Sequence, residues 1–199
     1  MTGVGIRERK KQETRARILR SAVDLFGQNG IDAVSVEDVA AHADVGKGTV
    51  YNYFGAKEDM LAAFVIELDR KALRGFGDLA GVGTLAEALD AAAWRLLECK
   101  LGYQPFVQVF LARVLISPDF RSELGTFQAA LDEALGALHE GLRGRGLTAP
   151  RLEVAEFALA FKTMQMGLAM LWALEEPPYA HARRMTRLMT KGLAREWAA

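Results

Sequence analysis

Apolar side chains recur at intervals of three and four residues along nearly the whole chain. The clearest stripe runs from Phe120 to Leu142, where seven apolar residues follow one another at spacings of 4, 3, 4, 4, 3 and 4. This period places all seven on one face of an α-helix, whereas a half-buried strand alternates with a period of two. Strand-like alternation is absent, and the five prolines stand where helices would begin or end. The sequence therefore predicts an all-α fold.

Start and stop signals divide this pattern into about nine helices. The first helix ends at Gly30, a typical C-terminal cap. Ser35, with the acid Asp38 three residues later, resembles a capping box and begins a short second helix. Ser117-Pro118 and Pro177-Pro178 mark later boundaries. The predicted helices cover residues 7–29, 35–43, 47–54, 57–76, 84–101, 105–116, 118–143, 150–175 and 179–197.

The composition argues against several classes of protein. Lys and Arg number 25, as do Asp and Glu, so the net charge does not point to a nucleic-acid partner. The single cysteine, Cys99, permits no internal disulfide and fits a reducing compartment. No apolar stretch follows the N-terminal cations, and the most apolar run, 164–174, is shorter than the roughly 20 residues that span a bilayer. We therefore expect a cytoplasmic protein without membrane contact.

Charge is concentrated locally at the N-terminus. The first twenty residues hold seven Lys or Arg against two Glu. A basic arm of this kind can contact nucleic acid, or it can be an ordinary solvated tail. The candidate contacts in the arm are Arg7, Arg9, Lys10 and Lys11.

The second and third helices are separated only by residues 44–46, which is the pattern of a helix-turn-helix. Because this turn is too short for an antiparallel pair, the two helices must cross steeply, and small apolar side chains on both can seal the crossing. We expect residues 1–54 to form a helix-turn-helix domain that includes the basic arm. Residues 55–199 should form a second domain, and the helix over 57–76 connects the two.

The third helix combines groups that suit the major groove of DNA, where bases are read through hydrogen bonds and methyl contacts. Lys47 can reach a phosphate or a guanine edge, and Gly48 lets the backbone approach the bases closely. Thr49 offers a hydroxyl or a methyl, Tyr51 a ring for thymine methyls, and Tyr53 a hydroxyl for phosphate. The alternative is a structural corner whose tyrosines pack into the core. Spacing predicts this inward position for two apolar neighbours, Val50 and Phe54.

Residues from roughly 13 to 61 closely resemble the N-terminal domain of the TetR (tetracycline-repressor-like) transcriptional regulators. The matching positions are Ile18-Leu19, Ala22, Leu25-Phe26, Gly30, Ser35-Val36, Val39-Ala40, Val45, Lys47 to Phe54, and Lys57 to Met60. The resemblance implies binding to double-stranded operator DNA. The residues that it places at the contact are Ser35, Val36, Lys47, Gly48, Thr49, Tyr51, Asn52, Tyr53 and Lys57.

Three positions depart from the family pattern. Asp44 stands where glycine is usual, and aspartate tolerates the left-handed backbone conformation. Gly46 and Ala56 replace residues whose hydroxyls usually cap the third and fourth helices, which costs roughly a few tenths of a kcal/mol for glycine and ~1 kcal/mol for alanine. None of these substitutions forbids DNA binding.

The last two helices predict a dimer. Helix-turn-helix proteins usually bind as dimers that place two recognition helices about 34–36 Å apart. Residues 156–174 are apolar almost all round, so their helix should be covered on both sides. In the resembled family the last two helices pack against their copies as a four-helix bundle, and the alternative is a monomer in which the last helix closes the core. The predicted homodimer contacts are Phe157, Phe161, Met164, Leu168, Met185, Leu188, Met189 and Leu193.

Aromatic residues and methionines in the second domain exceed what a small bundle needs, although most of them are expected in the core. We infer a pocket for a small hydrophobic or amphipathic effector, as the resemblance also implies. Arg113 has three alternatives: pairing with Glu98 or an aspartate, lying at the pocket rim, or binding a polar or anionic effector group. The predicted pocket residues are Phe64, Trp94, Phe106, Phe110, Arg113, Phe127, Met166, Met170 and Trp172.

These features together favour a ligand-responsive transcriptional repressor that binds a palindromic operator as a dimer and is released by its effector. A ligand-activated regulator stays open as an alternative. So does a cytoplasmic small-molecule-binding helical protein or adaptor that does not bind an operator. The sequence shows no Ser/His/Asp set, metal-ligand cluster, phosphate-cradling glycine loop or paired-acid motif, so we expect neither an enzyme nor a cofactor nor a metal site.

Overall fold

The computed structural model describes residues 5–116, 118–176 and 179–199, and for 118–123 it describes the backbone alone. Within these ranges every regular element is helical, which confirms the predicted all-α fold. The elements are α1 (Ile6–Asn29), α2 (Val36–His42), α3 (Lys47–Tyr51), α4 (Lys57–Ala72), a 3₁₀ helix (Gly77–Gly81), α5 (Leu85–Glu98), α6 (Gln104–Ile116), α7 (Pro118–Gly144), α8 (Val154–Leu174) and α9 (Ala180–Trp197). The boundary signals predicted at Ser117 and at Pro177-Pro178 lie outside the described residues.

Local signals set the boundaries of the first helices as expected. Gly30 ends α1 with a φ of 84°, and its N–H donates to the carbonyl of Phe26. Ser35 and Asp38 form the predicted capping box, in which the Ser35 hydroxyl accepts the Asp38 N–H at 3.1 Å. Asp44 lies in the left-handed region, with a φ of 52°, as expected for a residue at this glycine position. The turn between α2 and α3 is therefore made by an aspartate that takes the role of glycine.

The third helix ends three residues earlier than predicted. It stops at Tyr51, because the Asn52 N–H donates to the carbonyls of Gly48 and Thr49 in a tightened last turn. The inward positions predicted for Val50 and Phe54 are confirmed, since they are 0% and 3% exposed. The outer face of α3 is therefore short, and the residues after it lie on a turn.

The fourth helix ends earlier than residue 76, where the sequence predicted its end. Helix α4 stops at Ala72, because Gly75 adopts a φ of 66° and the chain turns into the 3₁₀ helix. This 3₁₀ helix packs against α7. A Cβ built on Gly141 would lie 2.5 Å from the Cβ of Ala80, so only glycine allows α7 to approach this closely.

The remaining helices pack around α4 and α8. Helix α4 contacts α1 and α6, α5 contacts α9, and α8 contacts α6, α7 and α9. Helix α8 has 21 residues and, by length and composition alone, is apolar and long enough to cross a membrane, although the run 164–174 by itself is not. However, Phe157, Phe161 and Trp172 are each 0% exposed, as in the core helix of a folded domain.

A buried ion pair lies between α4 and the end of α5. Lys100 Nζ donates to Asp69 Oδ1, and the two residues are only 4% and 7% exposed. Burial of the carboxyl raises the pKa of Asp69, and the Lys100 ammonium opposes that rise. Neither charge can be removed alone without leaving the other in an apolar environment.

We expect Lys100→Met to destabilise the protein by about 3–5 kcal/mol, because the Asp69 carboxylate is left buried without its counter-ion. Lys100→Met combined with Asp69→Leu should recover most of this loss. Urea denaturation at neutral pH measures both. The matched control is Lys162→Met, which removes the more exposed pair with Asp132 and should cost about 0–1 kcal/mol. Equal losses in the two single variants would contradict the buried pair.

Candidate nucleic-acid interface and ligand cavity

The outer face of α3 presents a compact group of polar and aromatic side chains. Lys47 and Gly48 are exposed, Thr49 is half-buried, and Tyr51 is 47% exposed. Val50 faces the opposite way and anchors the helix in the core. One turn and a half of helix thus projects a cation, a bare backbone, a hydroxyl and an aromatic ring from the same surface. These are the groups that read base edges and phosphates in a major groove.

Lys47 already has an anionic partner on the neighbouring helix. Its ammonium forms an ion pair with Glu37 on α2 and lies 5.8 Å from the centre of the Tyr51 ring. The hydrogen bond between Lys47 and Glu37 lowers the pKa of the Glu37 carboxyl and raises the pKa of the Lys47 ammonium. Both groups are therefore charged at neutral pH. A phosphate approaching Lys47 has to compete with the Glu37 carboxylate.

The other predicted DNA contacts of the helix-turn-helix differ in how accessible their side chains are. Asn52 is exposed just after α3, and Tyr53 is half-buried and packs on the core. The Ser35 hydroxyl is exposed but is already occupied by the capping box with Asp38. Val36 needs correction, because it is only 9% exposed and packs in the core between the helices. Asn52 and the α3 residues therefore form the accessible part.

Lys57 is half-buried, and its ammonium makes two hydrogen bonds within the protein. Its Nζ donates to the carbonyls of Ile31 at 2.8 Å and Val34 at 3.3 Å, in a half-buried position. These carbonyls belong to the segment between α1 and α2. Lys57 thus ties the first residue of α4 to the helix-turn-helix, and its charge is directed at this segment.

The predicted basic arm is helical from Ile6 onward. Arg7, Arg9, Lys10 and Lys11 are exposed residues of α1, and Arg9 pairs loosely with Glu13 at 3.6 Å. These cations form an exposed extension of the domain. A helix holds them at fixed positions, unlike a solvated tail.

A cavity of about 70 Å³ lies between α4, α6, α7 and α8 and the C-terminal part of α5. Most of the described residues that line it are apolar, and Phe110, Phe127 and Met166 are among them, as predicted from the sequence. The buried pair of Asp69 and Lys100 also reaches its wall. A water molecule needs about 10–15 Å³ by a comparable measure, so the cavity has room for a few waters and for larger molecules only if its walls move.

Six residues predicted for the pocket lie outside this cavity, and the prediction is corrected for each. Phe64 and Phe106 pack edge-on in an aromatic cluster with Tyr103. Trp94 stacks with Arg183 of α9 at 4.5 Å, and Arg113 pairs with Asp59. Met170 is 41% exposed on the outer face of α8, whereas Trp172 is fully buried in the core.

Arg113 has the aspartate partner that was one of its three alternatives. Its Nε and a terminal nitrogen both donate to Asp59 Oδ1, at 3.0 and 2.5 Å. The other oxygen of Asp59 accepts the N–H of Ala56 at 3.0 Å, at the start of α4. Arg113 therefore connects α6, which lines the cavity, to the first turn of α4.

The predicted dimer contacts on α8 are corrected as a group. Phe157, Phe161, Met164 and Leu168 are at most 3% exposed, because this stripe packs inside the chain. The opposite stripe of α8 is uncovered. Together with the exposed residues of α9 it forms a surface that we call the apolar seam, whose members are Leu159, Met166, Met170, Leu171, Leu174, Leu188 and Met189.

The two other predicted dimer residues on α9 lie at the edge of this seam. Met185 and Leu193 are half-buried and pack against the core. The inward face of α9 consists mainly of small residues, with Thr186 and Thr190 donating their hydroxyls back to carbonyls one turn earlier. Close packing of α9 on α5 therefore leaves the large apolar side chains Leu188 and Met189 outside.

Sequence reasoning missed four residues of these sites. Glu37 restrains Lys47, Asp69 and Lys100 contribute charge to the cavity wall, and Gln165 of α8 lines the same cavity. A signal existed for Asp69, which follows Val65 by four residues and so falls on the inward stripe of α4. An acid on an apolar stripe indicates either a buried partner or a polar site.

Comparison with known proteins places this geometry in a family. Residues 18–64 match the family model described as "Bacterial regulatory proteins, tetR family", a segment that contains every predicted helix-turn-helix contact. An HTH-type transcriptional repressor of Mycobacterium tuberculosis is 34% identical over 152 residues, which cover 73% of this chain and 78% of the relative. The HTH-type transcriptional regulator UidR of Escherichia coli is 32% identical over 65 residues, 33% of each chain.

Solved structures agree in fold over nearly the full length. Thermus thermophilus FadR, a TetR-family transcriptional repressor solved with lauroyl-CoA, superposes with a TM-score of 0.68 at 22% identity, covering 90% of this chain and 94% of FadR. Salmonella enterica GusR gives a TM-score of 0.67 at 20% identity, covering 92% and 96%. The match in the first domain and the relative over most of the chain agree: the chain is a transcriptional regulator of the TetR family, and not an enzyme.

Proposed function

We propose that this regulator is a cytoplasmic repressor that binds a palindromic operator as a homodimer through α3 and leaves it when a small apolar or amphipathic effector fills the cavity. The observation that carries the proposal is the outer face of α3, with Lys47, Gly48, Thr49 and Tyr51 on one exposed surface. The similar repressor of Mycobacterium tuberculosis supports the repressing direction.

Gly48 supports a close contact with another molecule. Its φ is not in the left-handed region, and a Cβ built on it would meet nothing within 4 Å. Nothing in the surrounding protein therefore requires glycine, although glycine weakens a helix by roughly 1 kcal/mol relative to alanine. A base edge or phosphate that approaches the backbone accounts for this choice.

The apolar seam supports a dimer. Leu174 is 78% exposed, and Leu159 and Leu188 are 65% and 61% exposed, on two adjacent helices. Contiguous exposed apolar side chains of this kind mark protein interfaces. A second copy packed on the seam would bring two α3 helices together as a symmetric pair, as a palindromic operator requires.

Helix α4 can carry a signal between the two sites. Its first turn is held by Lys57 and by the pair of Asp59 with Arg113, and its third and fourth turns carry Val65 and Asp69 on the cavity wall. An effector that binds more tightly when the walls have moved shifts α4, and this differential affinity is the energy for release.

A small-molecule-binding adaptor without operator binding is the second candidate. It would use the same cavity and the same seam, and only the α3 surface distinguishes the two functions. The exposed Lys47 and Tyr51, together with Gly48, favour the regulator, because an adaptor has no use for them.

We expect specific binding of the full-length protein to DNA from upstream of its own gene, and at least about tenfold weaker binding for Tyr51→Ala, because a ring at the base edges is lost. Fluorescence anisotropy titrations at several salt concentrations measure both. Affinity should fall steeply with salt, by roughly 0.9 per phosphate contact on a log–log plot. Equal affinity of the two proteins would show that α3 is not the reading helix.

We expect Gly48→Ala to raise the stability of the protein and to weaken its binding to the operator. The added methyl should stabilise α3 by up to about 1 kcal/mol in thermal or urea denaturation. The same methyl should weaken operator binding several-fold, because it holds the backbone away from the bases. Gly125→Ala on α7 is the matched control, since its Cβ also meets nothing within 4 Å. Unchanged DNA affinity in Gly48→Ala would remove the argument from glycine.

We expect Leu188→Glu to disrupt the homodimer, because it places a charge within the apolar seam. Sedimentation velocity should show monomers at micromolar concentration, and operator binding should be lost while the circular dichroism stays helical. Leu115→Glu on α6 is the control, since Leu115 is 72% exposed and lies outside the seam. A dimer that survives Leu188→Glu would place the interface elsewhere.

A further inference from the structure

The cavity wall carries more polar groups than an apolar ligand requires. Asp69 and Lys100 lie on one part of it, and Gln128, Lys162 and Gln165 also contribute. Lys162 is partly exposed and paired with Asp132 at 2.6 Å, so its charge is already neutralised near the surface. The other polar groups of the wall are the buried ion pair and the Gln128 and Gln165 amides, and of these two amides Gln165 is the one with a buried, unpartnered oxygen.

Gln165 is incompletely satisfied. Its Oε1 is buried and has no hydrogen-bond partner among the residues that the structure describes. A buried amide oxygen without a donor costs free energy, and the cost disappears when a ligand supplies the missing group. The side chain lines the cavity, but its oxygen has almost no accessible surface, so a ligand group reaches it when the cavity walls move to admit the ligand.

The chemistry of this wall favours a group that both donates and accepts. The buried atom of Gln165 is an amide oxygen, so the group that it lacks is a donor. A hydroxyl supplies one O–H donor for this oxygen, and its lone pairs can still accept from Lys100 without separating the charges of Lys100 and Asp69.

A charged ligand head fits less well. The Lys100 ammonium is neutralised by Asp69, and both are less than a tenth exposed. A carboxylate would have to take Lys100 from Asp69 and leave that acid buried without a counter-ion, and an ammonium would do the reverse to Lys100. An uncharged polar group avoids both costs.

We propose that the cavity selects an uncharged, largely apolar effector that carries a hydroxyl group, which hydrogen-bonds the Gln165 amide beside the Asp69–Lys100 pair. This inference rests on the proposed function, since it names the effector class of the proposed regulator. The apolar body contacts Phe110, Phe127 and Met166. Because Asp69 of α4 lines the same cavity, a ligand bound there also contacts the helix that leads to the helix-turn-helix.

The test compares three probes of nearly equal size: 4-ethylphenol, ethylbenzene and 4-ethylbenzoate. Isothermal titration calorimetry with the full-length protein at neutral pH gives their affinities. We expect 4-ethylphenol to bind at least about tenfold more tightly than either of the others, because only the hydroxyl satisfies Gln165 without disturbing the ion pair. Equal binding of ethylbenzene, tighter binding of 4-ethylbenzoate, or no binding of any probe would overturn the proposal.

The variant Gln165→Leu tests whether the preference for 4-ethylphenol depends on the Gln165 amide. Leucine removes the unsatisfied amide, so the variant should fold with an unchanged or higher melting temperature. It should bind 4-ethylphenol and ethylbenzene with similar affinity. Gln28→Leu, on the exposed surface of α1, is the matched control and should keep the preference for the phenol. A preference that persists in Gln165→Leu would contradict the assigned hydrogen bond.

Operator binding separates this inference from the proposed function. If the phenol binds with the expected preference but leaves the DNA complex intact, the ligand class stands and the proposed release fails. If ethylbenzene binds equally well and releases the DNA, the regulator stands and the hydroxyl requirement fails. Anisotropy of a labelled operator fragment with each probe at saturating concentration distinguishes the two results.

Discussion

The burial of α4 is the constraint on which the rest of the structure depends. Eight of its sixteen residues are buried, and they face more than one set of neighbours. Met60 and Leu61 belong to the core that also holds α1 and the helix-turn-helix, whereas Val65 and Asp69 reach the cavity wall. A helix enclosed in this way cannot shift at one end without disturbing contacts at the other, since protein interiors are close-packed. This shared core makes coupling between the cavity and α3 physically reasonable.

The cations of the helix-turn-helix show why a residue type does not define a role. Lys47 and Lys57 are the first residues of α3 and α4, and both lie at positions that match the family pattern. In the structure the ammonium of Lys57 is held by two carbonyls, whereas that of Lys47 remains on the surface beside Glu37. An anion approaching this surface would therefore find one cation whose hydrogen bonds are largely used and another that can exchange a single carboxylate partner.

The sequence was most informative where local chemistry decides the structure. The capping box of Ser35 and Asp38, the left-handed Asp44 and the inward Val50 were all predictable, because each depends on residues within a few positions. The α8 stripe was not. That helix is apolar on every side, so periodicity cannot distinguish the buried Phe157 and Phe161 from the exposed Leu159 and Leu174. The positions of α6, α7 and α9 decide which stripe is covered. The same limit applied to the cavity, whose polar wall joins Asp69 to the distant Lys100 and Gln165.

The close approach at Gly141 has a consequence for how α7 can move. There the backbone of α7 meets the Ala80 side chain and the Gly77 carbonyl of the 3₁₀ helix with no side chain of its own between them, so this point can serve as a pivot. Phe127, fourteen residues away, lies about 21 Å along the same rigid rod. A tilt of only about 5° around Gly141 would therefore swing Phe127 by nearly 2 Å. A small tilt of a long, rigid helix can therefore enlarge the cavity without unfolding any part of the protein.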